Sequence, residues 1–510
     1  MNRDPLNRRQ FIKASTLSGA AYIWFSENVA KAEKNWHADF GPMPLPAPDW
    51  VRNAVIADVP TRGFNVSDYK NINRWKGPYG DTTYRAIAAK LDYLKGMGFN
   101  VVCLYSVYSC TPDTNLYALR YNAPNEDMGT LEDVKYLTDQ AHNRGMHVIS
   151  NTNHYGVAWS SPLLTEHPDW FLPPSERMSG QRIFDLNNSE ARAYIIGTHV
   201  NWCTDSGLDG WRIDLASNIF KQSIWSEVLA RCAARGKRIL LATEGKPLVG
   251  YIEGSGRHGY PPILDMENSD WLSHKRGADD PYLVKEVSGA NAGEKADTTV
   301  CCAYNTPPQG SCGREGCFRV KGSRFLYGHN SLFAPMLPWM LVGETFDATH
   351  LALPVYNYRP KMLHSWLDWT DVDRYQDVVD DFRKIGAIRT GNEDIFHNNL
   401  AETKLINVPC TSNPSSPVIP YVRYISGKKA CIVIGNNSIT DDVTFTLQIP
   451  LAAIGMGTRS QVYVTDCWTN TTAKIAASAL QSYSVLVPKD NSSGGGVRVL
   501  ILSGAAPANA

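Results

Sequence analysis

The sequence predicts an α/β protein: a (β/α)8 barrel of parallel strands followed by an antiparallel β-sandwich. Three observations predict it. Short apolar runs alternate with helix-length amphipathic segments from about residue 54 to 389, the pattern of a parallel sheet wound with helices. From about residue 391 the pattern changes to short β runs divided by turn residues, which reads as a sandwich. The chain of 510 residues is long enough for one large and one small domain at roughly 150 residues per domain as a starting prior.

The first residues read as a leader. Asn7 to Lys13 is N-R-R-Q-F-I-K, a twin arginine followed by a hydrophobic pair and a lysine. A weakly apolar stretch from Ala14 to Phe25 and the small residues of Ala30-Lys31-Ala32 complete the order of a twin-arginine export signal over residues 1–32. The mature protein is therefore expected in the periplasm or outside the cell. The apolar stretch is too short for a permanent anchor, and no later segment has transmembrane length and apolarity.

The barrel is expected over residues 33–390. Ala54-Val55-Ile56 is the first apolar run, Thr83 to Gly96 has helical spacing, and Asn100 to Leu104 (NVVCL) reads as a buried strand. Thr130 is a good N-cap for a helix from Leu131 to Arg144, closed by Gly145 and followed by the strand Met146 to Ser150. Residues 151–183 form a short insertion. Ser189 to Cys203 is helical, Gly210 to Leu215 (GWRIDL) a strand, Ile224 to Arg235 helical, and Arg238 to Thr243 (RILLAT) a strand. Thr299 to Tyr304 and Trp339 to Val342 are later strand candidates, and Asp373 to Arg389 is the final helix. The sandwich takes residues 391–510, with β runs at Val418–Ile425, Ala430–Gly435, Val443–Ile449, Gln461–Thr465, Ser482–Val487 and Val497–Leu502.

Composition narrows the function classes. Lys+Arg and Asp+Glu are 50 each, which excludes a globally basic nucleic-acid binder and favours a neutral partner. The 14 Trp and 24 Tyr serve a large core, or offer flat faces for sugar rings; both uses stay open. Of eleven cysteines, Cys301, Cys302, Cys312 and Cys317 cluster in a Pro/Gly/Ser-rich stretch. Disulfides stapling a loop suit an exported protein; a metal site is the alternative, although the spacing matches no familiar ligand pattern.

Catalytic groups in such a barrel project from the C-terminal ends of strands. Asp214 ends GWRIDL two residues after Arg212, so alternation puts both on one strand face. A guanidinium keeps a neighbouring carboxylate ionised, as a nucleophile requires. Glu244 follows RILLAT, whose apolar strand offers no ion-pair partner; a carboxyl in less polar surroundings has a raised pKa, as a general acid requires. His154, just past the strand MHVIS, is a candidate donor to a substrate hydroxyl. For each residue alone, an ion pair or cap is the plainer explanation.

These segments together resemble the alpha-amylase superfamily, of the glycoside hydrolase family 13 type. LDGWRIDLAS (Leu208 to Ser217) is the most specific match. Tyr84 to Leu104, Gly129 to Ser150, His167 to Phe171, Phe184 to Ile195 and Val379 to Arg389 also resemble family segments. The resemblance implies Asp214 as nucleophile, Arg212 as its partner, Glu244 (in ATEGK) as acid/base, and His154 as the His of the first signature region. It also implies a sugar-stacking Tyr at Tyr121, with Tyr117 competing. The implied chemistry is retaining hydrolysis or transfer at an α-glycosidic bond of an oligosaccharide or glucan. That chemistry requires no cofactor; calcium is the one ion the resemblance admits. Nucleic acid is not an expected partner, nor is a membrane once the leader is gone.

Three features depart from the family. Ser150-Asn151-Thr152-Asn153-His154 has no Asp before its Asn-His, and Ser217-Asn218 stands where Lys-His is frequent. The fourth region, expected as Asn-His-Asp about forty residues before VGETF (Val342 to Phe346), is represented only by Asn305. The third carboxylate is then unassigned, with Asp297 the nearest candidate. A non-catalytic or altered-activity carbohydrate-binding protein on the same fold is therefore the alternative reading.

Overall fold

The computed structural model describes residues 48–64, 82–111, 117–174, 177–178, 181–213, 222–243, 300–302, 324–334, 337–346, 367–397, 402–416 and 418–506. The leader lies outside them, as do Cys312 and Cys317. The seven cysteines whose side chains are described are all free thiols.

Seven parallel strands form the central sheet: β1 (Ile56–Val59), β2 (Val101–Leu104), β3 (His147–Thr152), β4 (Gly210–Ile213), β5 (Leu240–Thr243), β6 (Val300–Cys302) and β7 (Leu337–Leu341). Their spatial order is β5-β4-β3-β2-β1-β7-β6. The first strand thus pairs with β2 on one side and with β7, the last of these seven in sequence, on the other. That is the neighbour pattern of a sheet rolled into a barrel. The chain between the described edges, residues 244–299, lies outside the described residues.

Local chemistry accounts for the helices between strands. The helices α1 (Thr83–Ala89) and α2 (Leu91–Gly96) divide the single segment expected from sequence. The break is at Lys90, whose ammonium lies 4.5 Å from the Trp369 ring. Helix α3 (Leu131–His142) begins in a capping box: Asp133 N–H donates to Thr130 Oγ1 (3.2 Å), and Thr130 N–H to Asp133 Oδ2 (3.0 Å). Asn188 caps α4 (Ser189–Asp205) through the N–H groups of Glu190 and Ala191. Helix α5 (Gln222–Ala234) packs on α4. The last barrel helix starts later than expected, as α6 (Gln376–Thr390), because Tyr375 breaks it from Asp371–Arg374. Close approach requires glycine here: a Cβ on Gly98 (φ +90°) would lie 2.9 Å from Gly386 Cα on α6.

Two small sheets were not foreseen. Tyr108–Cys110 pairs with Ala118–Pro124, and the insertion carries Gly156–Ala158, Gln181–Ile183 and Arg177–Met178 as three antiparallel strands. Each has a strand of two or three residues, too short to show a period of two.

The C-terminal part has a six-stranded and a three-stranded antiparallel sheet. Lys429–Gly435 is buried almost throughout rather than alternately. The reason is that both its faces are covered. Cys431 and Val433 join the core that continues into the barrel, while Ile432 and Ile434 join the core between the two sheets. The junction also carries a buried ion pair, Arg324 Nε to Asp381 Oδ2 at 2.5 Å, and Phe325 N–H donates to Asp490 Oδ1 at 2.8 Å.

Candidate active site

Strand alternation places Arg212. Its neighbours Trp211 and Ile213 point outward into the helix layer, where the Trp211 ring meets His199 of α4 edge-on at 4.7 Å. Arg212 therefore faces the barrel interior, where it is 4% exposed. Its register partners are Asn151 on β3 and Ala242 on β5. Asn151 is buried on the same face, and the Cys103 thiol of β2 reaches its Oδ1 at 3.8 Å. Cys103 is in register with Asp58 of β1, which is 6% exposed. Arg212, Asn151 and Asp58 make the inner face polar toward the C-terminal ends of the strands. Sequence reasoning passed over Asp58 and Asn151. For Asp58 the signal was a polar residue at an inward position in the otherwise apolar run of β1; the polar end of β3 gave Asn151 no such contrast.

The two carboxylates expected to react cannot be described in the same way. Asp214 immediately follows β4 and Glu244 immediately follows β5 in sequence, and both lie outside the described residues, as do Asn305 and Asp297. His154 is described. It lies two residues past β3, is fully buried, and meets the Trp225 ring of α5 edge-on at 5.3 Å.

Tyr121 differs from its expected role. It is fully buried, with its ring against Tyr108 at 4.6 Å and near His199 and Phe184. Its hydroxyl lies against the Asn153 carbonyl, the Asn153 side-chain oxygen (3.1 Å) and the Gly156 carbonyl (2.7 Å). With no exposed face, this ring is a support for the Asn153-His154 turn rather than a sugar platform. Burial also pushes its phenol pKa well above the ordinary value, so it remains neutral. Tyr117 is half-buried and is the more accessible of the two tyrosines.

A buried imidazole supports the same turn. His199 Nδ1 faces the Ile195 carbonyl at 2.7 Å, an acceptor only, so this nitrogen carries the proton. Nε2 then accepts from Thr152 Oγ1 at 2.8 Å, at the C-terminal end of β3.

Among the described residues, one group of His, Cys, Asp and Glu is close enough to hold a metal: His142, His147 and Asp209. These lie at the N-terminal ends of β3 and β4, the opposite end from Arg212. Their two imidazoles do not fit calcium, which takes about six to eight oxygen ligands.

With this geometry in hand, comparison with known proteins is informative. Residues 59–181 match the family model of the alpha-amylase catalytic domain. A cyclomaltodextrinase from Thermoanaerobacter pseudethanolicus is 20% identical over 449 residues, covering 79% of this chain and 73% of that one. These matches make the chain similar to members of the alpha-amylase superfamily. An intracellular maltogenic amylase of Bacillus subtilis is 25% identical over 218 residues, covering 36% of this chain and 37% of the relative. The alpha-amylase of Geobacillus thermoleovorans, solved with acarbose, superposes with a TM-score of 0.63 at 16% identity, covering 89% of this chain and 99% of that one. The likeness to the solved structures extends to the fold, a parallel barrel with C-terminal β-sheets.

The buried His199 gives a pH signature. Burial lowers its pKa from 6.5 to about 4 in the folded protein. The unfolded chain binds that proton from about pH 6.5 downward and the folded one only near pH 4, so stability falls as pH drops through this window. His397, lowered by burial to about 3, adds in the same direction. His199→Asn is expected to reduce the loss of melting temperature between pH 6.5 and 4, whatever its effect at neutral pH. A loss as steep as wild type would remove His199 from this role.

Proposed function

We propose that the protein is a retaining glycosidase or transglycosylase acting on α-glycosidic bonds of oligosaccharides. The observation that carries this reading is Arg212 on the barrel's inner face, next to Asn151 and two residues before Asp214 in LDGWRIDLAS. Asp214 would attack the anomeric carbon as the bond to the leaving oxygen breaks, and Glu244 would protonate that oxygen. Glu244 would then take a proton from water or a sugar hydroxyl, whose oxygen displaces Asp214 from the anomeric carbon. This sequence needs the two carboxyl groups about 5–5.5 Å apart. Arg212 favours the ionised nucleophile by its charge.

Among its described residues, the short insertion carries three brief strands and two short helical turns. This supports a pocket for small oligosaccharides rather than a long glucan cleft. With short maltooligosaccharides and cyclic maltodextrins, Glu244→Gln is expected to lower kcat by about 10²- to 10⁴-fold. Activity equal to wild type would remove Glu244 from the acid/base role. The incomplete fourth region favours the second reading, a carbohydrate-binding protein with altered activity. Calorimetric binding of these sugars with no turnover by the wild type would select it.

The leader supports export of the folded protein through the twin-arginine route. Arg8→Lys with Arg9→Lys is expected to leave the protein in the cytoplasm on cell fractionation. Export unchanged by that pair would refute the assignment.

A further inference from the structure

Three side chains from three elements converge at the barrel end remote from Arg212. His142 closes α3, His147 opens β3, and Asp209 immediately precedes β4. His142 Nε2 lies 2.8 Å from Asp209 Oδ2, and His147 Nδ1 lies 3.6 Å from the same oxygen. All three ligand atoms lie within 4.8 Å of one another. We propose that His142, His147 and Asp209 bind a divalent ion of the zinc class, as a structural tie between α3, β3 and the turn into β4.

The arrangement has the features of a built site. Val148 N–H donates to Asp209 Oδ2 at 2.8 Å, which occupies one lone pair and leaves the other toward the imidazoles. Lys237 Nζ holds the second oxygen, Oδ1, at 3.4 Å. Trp50 stacks on the His147 ring at 4.0 Å and 15°, fixing its orientation. These contacts position the ligands in the way supporting groups do around metal centres. A simple His142–Asp209 hydrogen bond accounts for only part of this. It leaves the buried Nδ1 of His147 with a long 3.6 Å approach to Asp209 Oδ2, and a metal between them would give that nitrogen a direct bond.

Ligand chemistry selects the class of ion. Lys237 offsets the carboxylate charge, so the site attracts hard cations weakly. Two imidazole nitrogens and one carboxylate oxygen suit zinc and its borderline neighbours instead. His142 is 37% exposed on its side chain, which gives an approach for the ion and room for water as a fourth ligand.

The test is calorimetric titration of the metal-stripped full chain with zinc chloride. One saturable equivalent is expected in the wild type. His142→Gln and His147→Gln are each expected to weaken it by about tenfold or more. Zinc should raise the melting temperature of the wild type and not that of the double variant. His147→Gln leaves the His142–Asp209 bond in place, so it carries the test if His142→Gln does not fold. The absence of a saturable equivalent in the wild type would overturn the proposal. So would equal zinc affinity in the double variant, which would put the ion elsewhere, as on the cysteines near Cys301.

Discussion

Ile56–Val59 is hydrogen-bonded on one side to the strand that follows it and on the other to Leu337–Leu341, late in the barrel sequence. That double pairing fixes which face of every strand is inside. In a flat sheet, Trp211 and Arg212 would face two helix layers. In a rolled parallel sheet, one faces helices and the other a narrow interior. The energetic result is an unequal division of chemistry. The outer positions, such as Val102, Val148, Trp211 and Leu241, belong to one apolar core, while the inner positions can carry Asp58, Asn151 and Arg212.

The same constraint separates two tasks along the barrel axis. At the C-terminal ends, Arg212 and the turn holding His154 face the region where Asp214 and Glu244 enter the sequence. Tyr108, Tyr121 and His199 are neutral, buried and hydrogen-bonded, and they hold the β3 turn from behind. At the N-terminal ends, His142, His147 and Asp209 tie a helix to two strands.

Much of this was legible from sequence because central strands are buried on both faces. NVVCL and RILLAT each hold a run of consecutive apolar residues, and MHVIS has an apolar centre, so no surface alternation obscures them. Thr130 and Gly145 marked the ends of their helical segment through capping and a left-handed turn (φ +68°). Helix breaks at Lys90 and Tyr375 were not legible. Neither is a Gly or Pro, and Lys90 is held by a ring, Trp369, far away in sequence. Tyr121 misled for a related reason. Whether a tyrosine faces substrate or core depends on Tyr108, Asn153 and His199, which only folding assembles. The polar inner residue Asp58 was readable in principle, as an interruption in the apolar run of β1.

The central proposal is that Asp214, two residues after Arg212 in sequence, forms a covalent bond to the sugar while Glu244 moves the proton. An α-glycosyl fluoride needs no acid to lose its leaving group, so it separates the two steps. Glu244→Gln incubated with α-glucosyl or α-maltosyl fluoride should accumulate a protein heavier by one glycosyl unit, with the added mass on the peptide containing Asp214. An active wild type whose Glu244→Gln form carries no adduct, or carries it on another residue, would contradict the account.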